Sequence, residues 1–265
     1  TRRSSDLQIQ KNAIGGYSFL LPEYKRFTTG AFWLTTFRLD NQLSVTGGIR
    51  YDRGRIDIAA FEDPYLVEYL HRQGYEEEVI QAYRWRSYPV DRAYGNYSCS
   101  AGVVWTPAAG HLLKMNVGRS FRLPGVNELA SNGVHHGTFR HEKGDATLSS
   151  EQGWQIDASY TLAYKKMELV VSSFASWFDN YIYLRPMGEW SVLPHAGQIY
   201  QYSGARALFM GGEINFNMDF LRHFNYRLVG EYVYTYNRDE HTALSFSPPV
   251  SMRNILTWNK KDFQL

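Results

Sequence analysis

Three of the eight histidines, His135, His136 and His141, fall in one short stretch with Glu128, Arg140, Glu142 and Asp145. Imidazole and carboxylate together suit Zn²⁺, Cu²⁺ or haem iron. A guanidinium among them suits an anionic chelate. Adjacent His135 and His136 point in opposite directions in an extended chain, and neither His-x-His nor His-x₃-His spacing occurs. The stretch reads either as a loop that captures a metal complex through His135, His136, Arg140 and His141, or as a loop that packs on itself. Direct ligation of a metal is open at this point.

No second set of reactive groups competes with this one. A single cysteine, Cys99, excludes an intrachain disulfide, a Cys-x-x-Cys pair and a four-thiolate zinc site. There is no Gly-x-Ser-x-Gly elbow, no His-Glu-x-x-His, no phosphate-binding glycine loop and no dinucleotide fingerprint. Neither a catalytic residue nor a cofactor is expected. Lys and Arg total 28 against 26 Asp and Glu, a formal charge of +2 over 265 residues, which argues against a nucleic-acid partner.

The elements that must hold the histidine stretch are strands. Aromatic residues make up 16% of the chain and charged residues 20%, so amphipathic rings stand where a soluble protein carries Lys and Glu. Apolar residues recur at every second position: Leu43, Val45, Ile49 and Tyr51 face away from Ser44, Thr46, Arg50 and Asp52, and Trp154, Ile156, Ala158 and Tyr160 away from Gln155, Asp157 and Ser159. Ten strands are expected, over 3–13, 24–39, 42–56, 93–106, 111–122, 151–164, 167–184, 205–220, 223–237 and 250–260. No apolar run is long enough for a transmembrane helix.

The connections alternate. Those at 40–41, 107–110, 165–166 and 221–222 are short, and those at 14–23, 57–92, 123–150, 185–204 and 238–249 are long. Short turns at one end and long loops at the other is the pattern of a transmembrane β-barrel. Rings gather at both ends, Phe37, Trp105, Tyr164, Phe220, Phe224 and Trp258 beside the short turns and Phe27, Tyr51, Phe121, Trp154 and Trp177 beside the long loops, as interfacial girdles would require. In a closed barrel Arg50, Asp52, Lys114, Asn116, Asp157, Glu213, Asn215, Asn217, Arg227 and Glu231 would line a hydrated lumen. Alternation alone also fits a soluble β-rich binding domain with its apolar face inward. Within 57–92, Pro64 followed by Leu66, Val67 and Leu70 predicts a short amphipathic helix, and Glu76-Glu77-Glu78 reads as solvated charge.

Residues 119–129 read Arg-Ser-Phe-Arg-Leu-Pro-Gly-Val-Asn-Glu-Leu and 144–151 read Gly-Asp-Ala-Thr-Leu-Ser-Ser-Glu. Arg122, Pro124, Glu128 and Leu129, followed by Gly144, Asp145, Leu148 and Glu151, resemble the TonB-dependent outer-membrane receptors, where such stretches leave one strand and re-enter the next around a long outer loop. Residues 15–24 and Gly48-Ile49-Arg50-Tyr51-Asp52 look like that family too. The resemblance implies an all-β fold, an antiparallel transmembrane β-barrel meander contributing about ten strands to a barrel of about 22, with 1–265 as one partial barrel domain.

It further implies a place in the bacterial outer membrane, contact with its lipid, and uptake of a ferric siderophore, haem or other metal complex energised through TonB. The family's plug domain and TonB-contacting segment have no counterpart in 1–30, so TonB is expected to act through a missing N-terminal part. Asn259-Lys260-Lys261-Asp262 reads as a turn after a downward strand, with Phe263-Gln264-Leu265 opening the next. Ten strands is also the size of the omptin proteases, small self-closed barrels whose dyad Asp145 with His135, His136 or His141 would imitate.

Overall fold

Period-two runs of β-branched and aromatic residues favour extended pairing over helix, and turns too short for a crossover force consecutive segments to pair antiparallel. The computed structural model of the chain describes residues 1–15, 19, 21–260 and 263–264. In chain order, β1 (Arg2–Asn12), β2 (Tyr24–Arg38) and β3 (Leu43–Ile58) lead into a loop holding β4 (Phe61–Glu62), α1 (Pro64–Arg72), α2 (Glu77–Tyr83) and β5 (Trp85–Ser87). Next, β6 (Val90–Trp105) and β7 (His111–Arg122) lead into a second loop holding α3 (Val126–Ala130), β8 (Asn132–His135) and β9 (Arg140–Lys143). Finally come β10 (Glu151–Tyr164), β11 (Met167–Trp190), β12 (Gln198–Phe220), β13 (Phe224–Asn237), β14 (Ser251–Lys260) and β15 (Phe263–Gln264).

The long strands follow one another in a plain meander, β1-β2-β3-β6-β7-β10-β11-β12-β13-β14-β15, with β4-β5 as a separate pair. Among the described residues the path is open, from β1 at one edge to β15 at the other. The ten expected strands are all present. The expected connection over 185–204 is a correction, since β11 runs on to Trp190 and β12 starts at Gln198, leaving 191–197 as the loop. Pro186 hides this extension: it pairs with Tyr200 beside a register shift, where a residue without an N–H is tolerated. The acidic run at 76–78 opens α2 rather than a purely solvated stretch, and α2 buries Ile80 and Tyr83. Gly16, Tyr17, Ser18 and Leu20 of the 15–24 motif, with Lys261, Asp262 and Leu265, lie outside the described residues.

Register sorts the two faces. Trp33, Ile49 and Cys99 align across β2, β3 and β6, and Arg119, Trp154, Trp177 and Leu208 continue the row through β12. This face is exposed although apolar: Phe37 is 61% accessible, Ile49 56% and Met115 54%. A soluble sheet would bury it, whereas a lipid-facing wall leaves it bare. Trp154 and Tyr164 bound the band on β10, and the ten intervening steps, about 33 Å along a strand tilted by roughly 40°, give a height of about 25 Å, the thickness expected of such a band.

The opposite face carries the polar row. Asn116 pairs with Asp157, Ser172 with Glu213, Glu213 with Glu231, and Asn217 with Arg227. Arg50 bridges two carboxylates there, donating to Asp6 at 2.9 Å and Asp52 at 2.6 Å. Gly30 lies beneath, where a Cβ would run into the guanidinium. Two open hollows of about 560 Å³ each lie along this concave wall.

The apolar core is not in the membrane-spanning wall. One cluster joins Ile56, Ile58 and Val90 at the long-loop ends of β3 and β6 to Val126, Leu129, Ala130, Leu148 and Ile182. A second joins Leu66 and Leu70 of α1 to Ile80, Tyr83, Val134 and Leu193. The expected amphipathic helix is α1, capped by the Asp63 carboxylate on the Leu66 amide with Pro64 in its first turn. The long loops therefore fold over the polar side of the wall and onto one another.

Candidate functional site

The histidine loop is anchored at both ends by the residues that carried the family resemblance. Arg122, the last residue of β7, donates to Glu128 at 2.8 Å and to Glu151 at 3.1 Å. Glu128 also accepts the Gly125 amide at 2.6 Å, which fixes the first turn of α3. Glu151 accepts the Ile182 amide at 3.1 Å, tying the return limb to β11. Pro124 is buried, and its carbonyl accepts from Arg26. Gly144 packs so closely under α3 that a Cβ would meet Ala130 N at 2.5 Å and Leu129 C at 2.7 Å. Asp145 receives the Thr147 amide at 2.8 Å, and Leu148 joins the first core cluster. All eight residues thus have work in holding the loop.

Of the four candidate ligand-binding residues, His141 must be withdrawn. It is 0% exposed. Its Nε2 lies 2.8 Å from Asn132 Oδ1 and its Nδ1 2.8 Å from Ser191 Oγ. The Asn132 amide nitrogen is spent on the carbonyls of Ala82 and Trp85, so its oxygen must accept, and Nε2 carries the proton. Burial, then the charges of Lys143 and Arg86, push the imidazole down to about 3. His141 is a neutral core histidine that links three loops: 59–89 through Asn132, 123–150 through its own strand, and 191–197 through Ser191.

His135 is placed differently. Its Nδ1 lies 3.0 Å from Glu142 Oε1. Tyr202 donates to the other oxygen of Glu142 at 2.9 Å, and Asn127 donates to the Tyr202 hydroxyl at 2.9 Å. A carboxylate on Nδ1 fixes the orientation of the ring, and His135 Nε2 makes no hydrogen bond with any described residue. His136 is exposed. Arg140 lies against a pair of neighbouring aromatic rings, 5.4 Å from the Tyr200 ring centre and 4.9 Å from that of Phe246, whose centres are 6.3 Å apart, and it lies 3.5 Å from Glu142. The structure therefore brings His135 and Arg140 together through Glu142 and sends His141 into the core.

Sequence reasoning missed Tyr200, Tyr202 and Phe246, because β12 and the last long loop lie far away in the chain. Among the described residues, no three His, Cys, Asp or Glu side chains are grouped to hold a metal ion by themselves. The site can present one oriented imidazole, one guanidinium and aromatic faces to a ligand that brings its own chelating atoms. Asp145 turns to Thr147, so the omptin-like dyad has no geometric support.

The sequence profile described as "TonB dependent receptor-like, beta-barrel" matches residues 2–265. No curated protein sequence matches the chain. Among solved structures, "Copper transporter OprC" is similar with a TM-score of 0.71 at 17% identity, over 93% of this chain and 35% of that one. The Serratia marcescens hemophore receptor HasR, in complex with hemophore HasA and heme, gives 0.63 at 19% identity, over 92% and 43%. The FrpB iron transporter of Neisseria meningitidis gives 0.58 at 11% identity, over 92% and 32%. The chain spans less than half the length of each.

Proposed function

The chain belongs to the TonB-dependent receptor family, as part of its β-barrel in the bacterial outer membrane, and on that premise we propose that the parent protein actively imports a metal complex. Energy is delivered through TonB, by way of a part of the protein outside this chain. The barrel closes with further strands to about 22, and a plug domain rests against the two hollows of the polar wall. The substrate class is a ferric siderophore, haem or another metal chelate. It is captured at the long-loop end by His135, His136 and Arg140.

One observation carries the capture site: the Glu142 carboxylate orients His135 with Nε2 open, beside a guanidinium that lies against the neighbouring rings of Tyr200 and Phe246. Imidazole recognises the metal or its axial position, guanidinium the anionic chelator, and rings a planar ligand. The similar structures of a copper transporter, an iron transporter and a hemophore receptor in complex with heme support this class. The test is growth under iron or copper limitation on single supplied complexes, comparing strains with and without the parent gene and with and without TonB. Growth on one complex that needs both supports the proposal. Identical growth in all strains on every complex overturns it.

A further inference from the structure

The lipid-facing wall has a second polar feature, well away from the capture site. On β3, Arg53 and Arg55 point outward just beyond Tyr51, which closes the apolar band at the long-loop end. In register they align with Thr29 and Phe27 on β2 and with Gly95 and Ala93 on β6. Lys25 lies one outward position higher on β2, and Arg119 stands at band level on β7. The only outward carboxylates among these described positions are Asp57 and Asp91. Asp91 is engaged by Arg55 at 2.6 Å, so four cations face two carboxylates. Arg53 and Lys25 make no hydrogen bond or ion pair with any described residue.

The surroundings of Arg53 form a shallow polar notch. Gly95 lacks a side chain where a Cβ would lie 2.8 Å from the Tyr51 hydroxyl, so that phenol rests over Gly95 beside Arg53. The Arg119 guanidinium lies 4.1 Å from the centre of the Tyr97 ring and donates to the Tyr97 carbonyl at 2.6 Å and to Gln152. Two of its five N–H groups are thereby placed, and the rest remain available. An arginine on a lipid-facing strand is costly at the midplane but tolerated at the interface. These residues therefore sit at a depth where a cation is tolerated and a headgroup anion is within reach.

We infer that this patch on β2, β3, β6 and β7 binds the phosphate of an outer-leaflet lipid headgroup, with Arg53, Arg119 and the Tyr51 hydroxyl as the contacts and Lys25 as a flanking charge. Below the notch the wall is apolar, with Ile49, Cys99 and Val117 beneath it, so the occupant needs an anionic head above acyl chains. A free anion satisfies only half of that surface. Guanidinium is suited to phosphate through paired N–H donors.

The test uses the full-length receptor in mild detergent, titrated with diphosphorylated lipid A, with dephosphorylated lipid A and with inorganic pyrophosphate, bound lipid being read by native mass spectrometry. The expected result is retention of the diphosphorylated lipid, at least roughly 10-fold weaker retention of the dephosphorylated one, and no displacement by pyrophosphate. The Arg53→Gln, Arg119→Gln double variant should weaken retention about 10–100-fold. Arg206→Gln, which removes a surface charge already paired with Asp239 at 2.6 Å, should change nothing. If Arg119→Gln fails to assemble, Lys25→Gln with Arg53→Gln carries the test. Equal retention of both lipids, displacement by pyrophosphate alone, or wild-type retention in the variants would overturn the inference.

Discussion

Acidification should open the outer loops before it disturbs the barrel, and His141 sets the size of the effect. The perturbation is a fall from pH 7 to pH 5. The imidazole titrates near 6.5 when free and near 3 in the fold, because burial and the charges of Lys143 and Arg86 oppose its ionisation. The opened state therefore binds a proton first. The neutral form's stability is complete above 6.5 and drains away as pH falls towards 3. Between 6.5 and 5 the loss is about 2 kcal/mol, or roughly a 30-fold rise in the opened population. Because His141 joins Asn132 to Ser191, the opening should appear together in 132–143 and 190–193. Hydrogen exchange of the full-length receptor, corrected for intrinsic rates, reads this segment by segment. His141→Gln should be looser at pH 7 by about 1–3 kcal/mol and lose most of the pH slope. Equal protection at both pH values, or the same slope in His141→Gln, would refute the reasoning.

Three further substitutions probe the framework. Gly144→Ala places a Cβ against the backbone of Leu129 and Ala130, so the return limb must shift at a cost of about 2–4 kcal/mol, seen as faster proteolysis within 123–150 with the barrel still folded. Arg122→Gln leaves the Glu128 and Glu151 carboxylates, 13% and 14% exposed, without their shared cation, and should loosen the loop by about 3 kcal/mol, read as faster exchange at the Gly125 and Ile182 amides. Val117→Arg on the lipid face should lower the yield of heat-modifiable folded receptor, a penalty of about 2–4 kcal/mol, whereas Gln155→Arg on the polar face should not.

The strands were legible because their period-two pattern is sustained for ten or more residues and each face meets a different solvent. Trp154, Ile156 and Tyr160 announce a lipid face wherever the neighbours fall. The extension of β11 past Leu184 was not legible, since Arg-Pro-Met-Gly-Glu-Trp has no alternation and its pairing is supplied by β12. The strands β8 and β9 have four residues each, too few for a periodic signal, and α2 was masked by its acidic first turn. The site was half legible. A cluster of histidines marks a place, but burial decides each role: His135 and His141 differ in solvent access and partners, and those partners, Ser191 and Tyr202, come from distant segments.

The proposed capture of a metal complex is tested most directly by measuring the affinity of the full-length receptor for the complex that supports TonB-dependent growth, in wild type and in the His135→Ala, His136→Ala, Arg140→Ala triple variant, with His141 left intact so that the loop keeps its fold. The expected result is a Kd raised about 10–100-fold, the loss of one or two charge-assisted contacts, with unchanged surface expression. An unchanged Kd in a normally assembled variant would contradict the account.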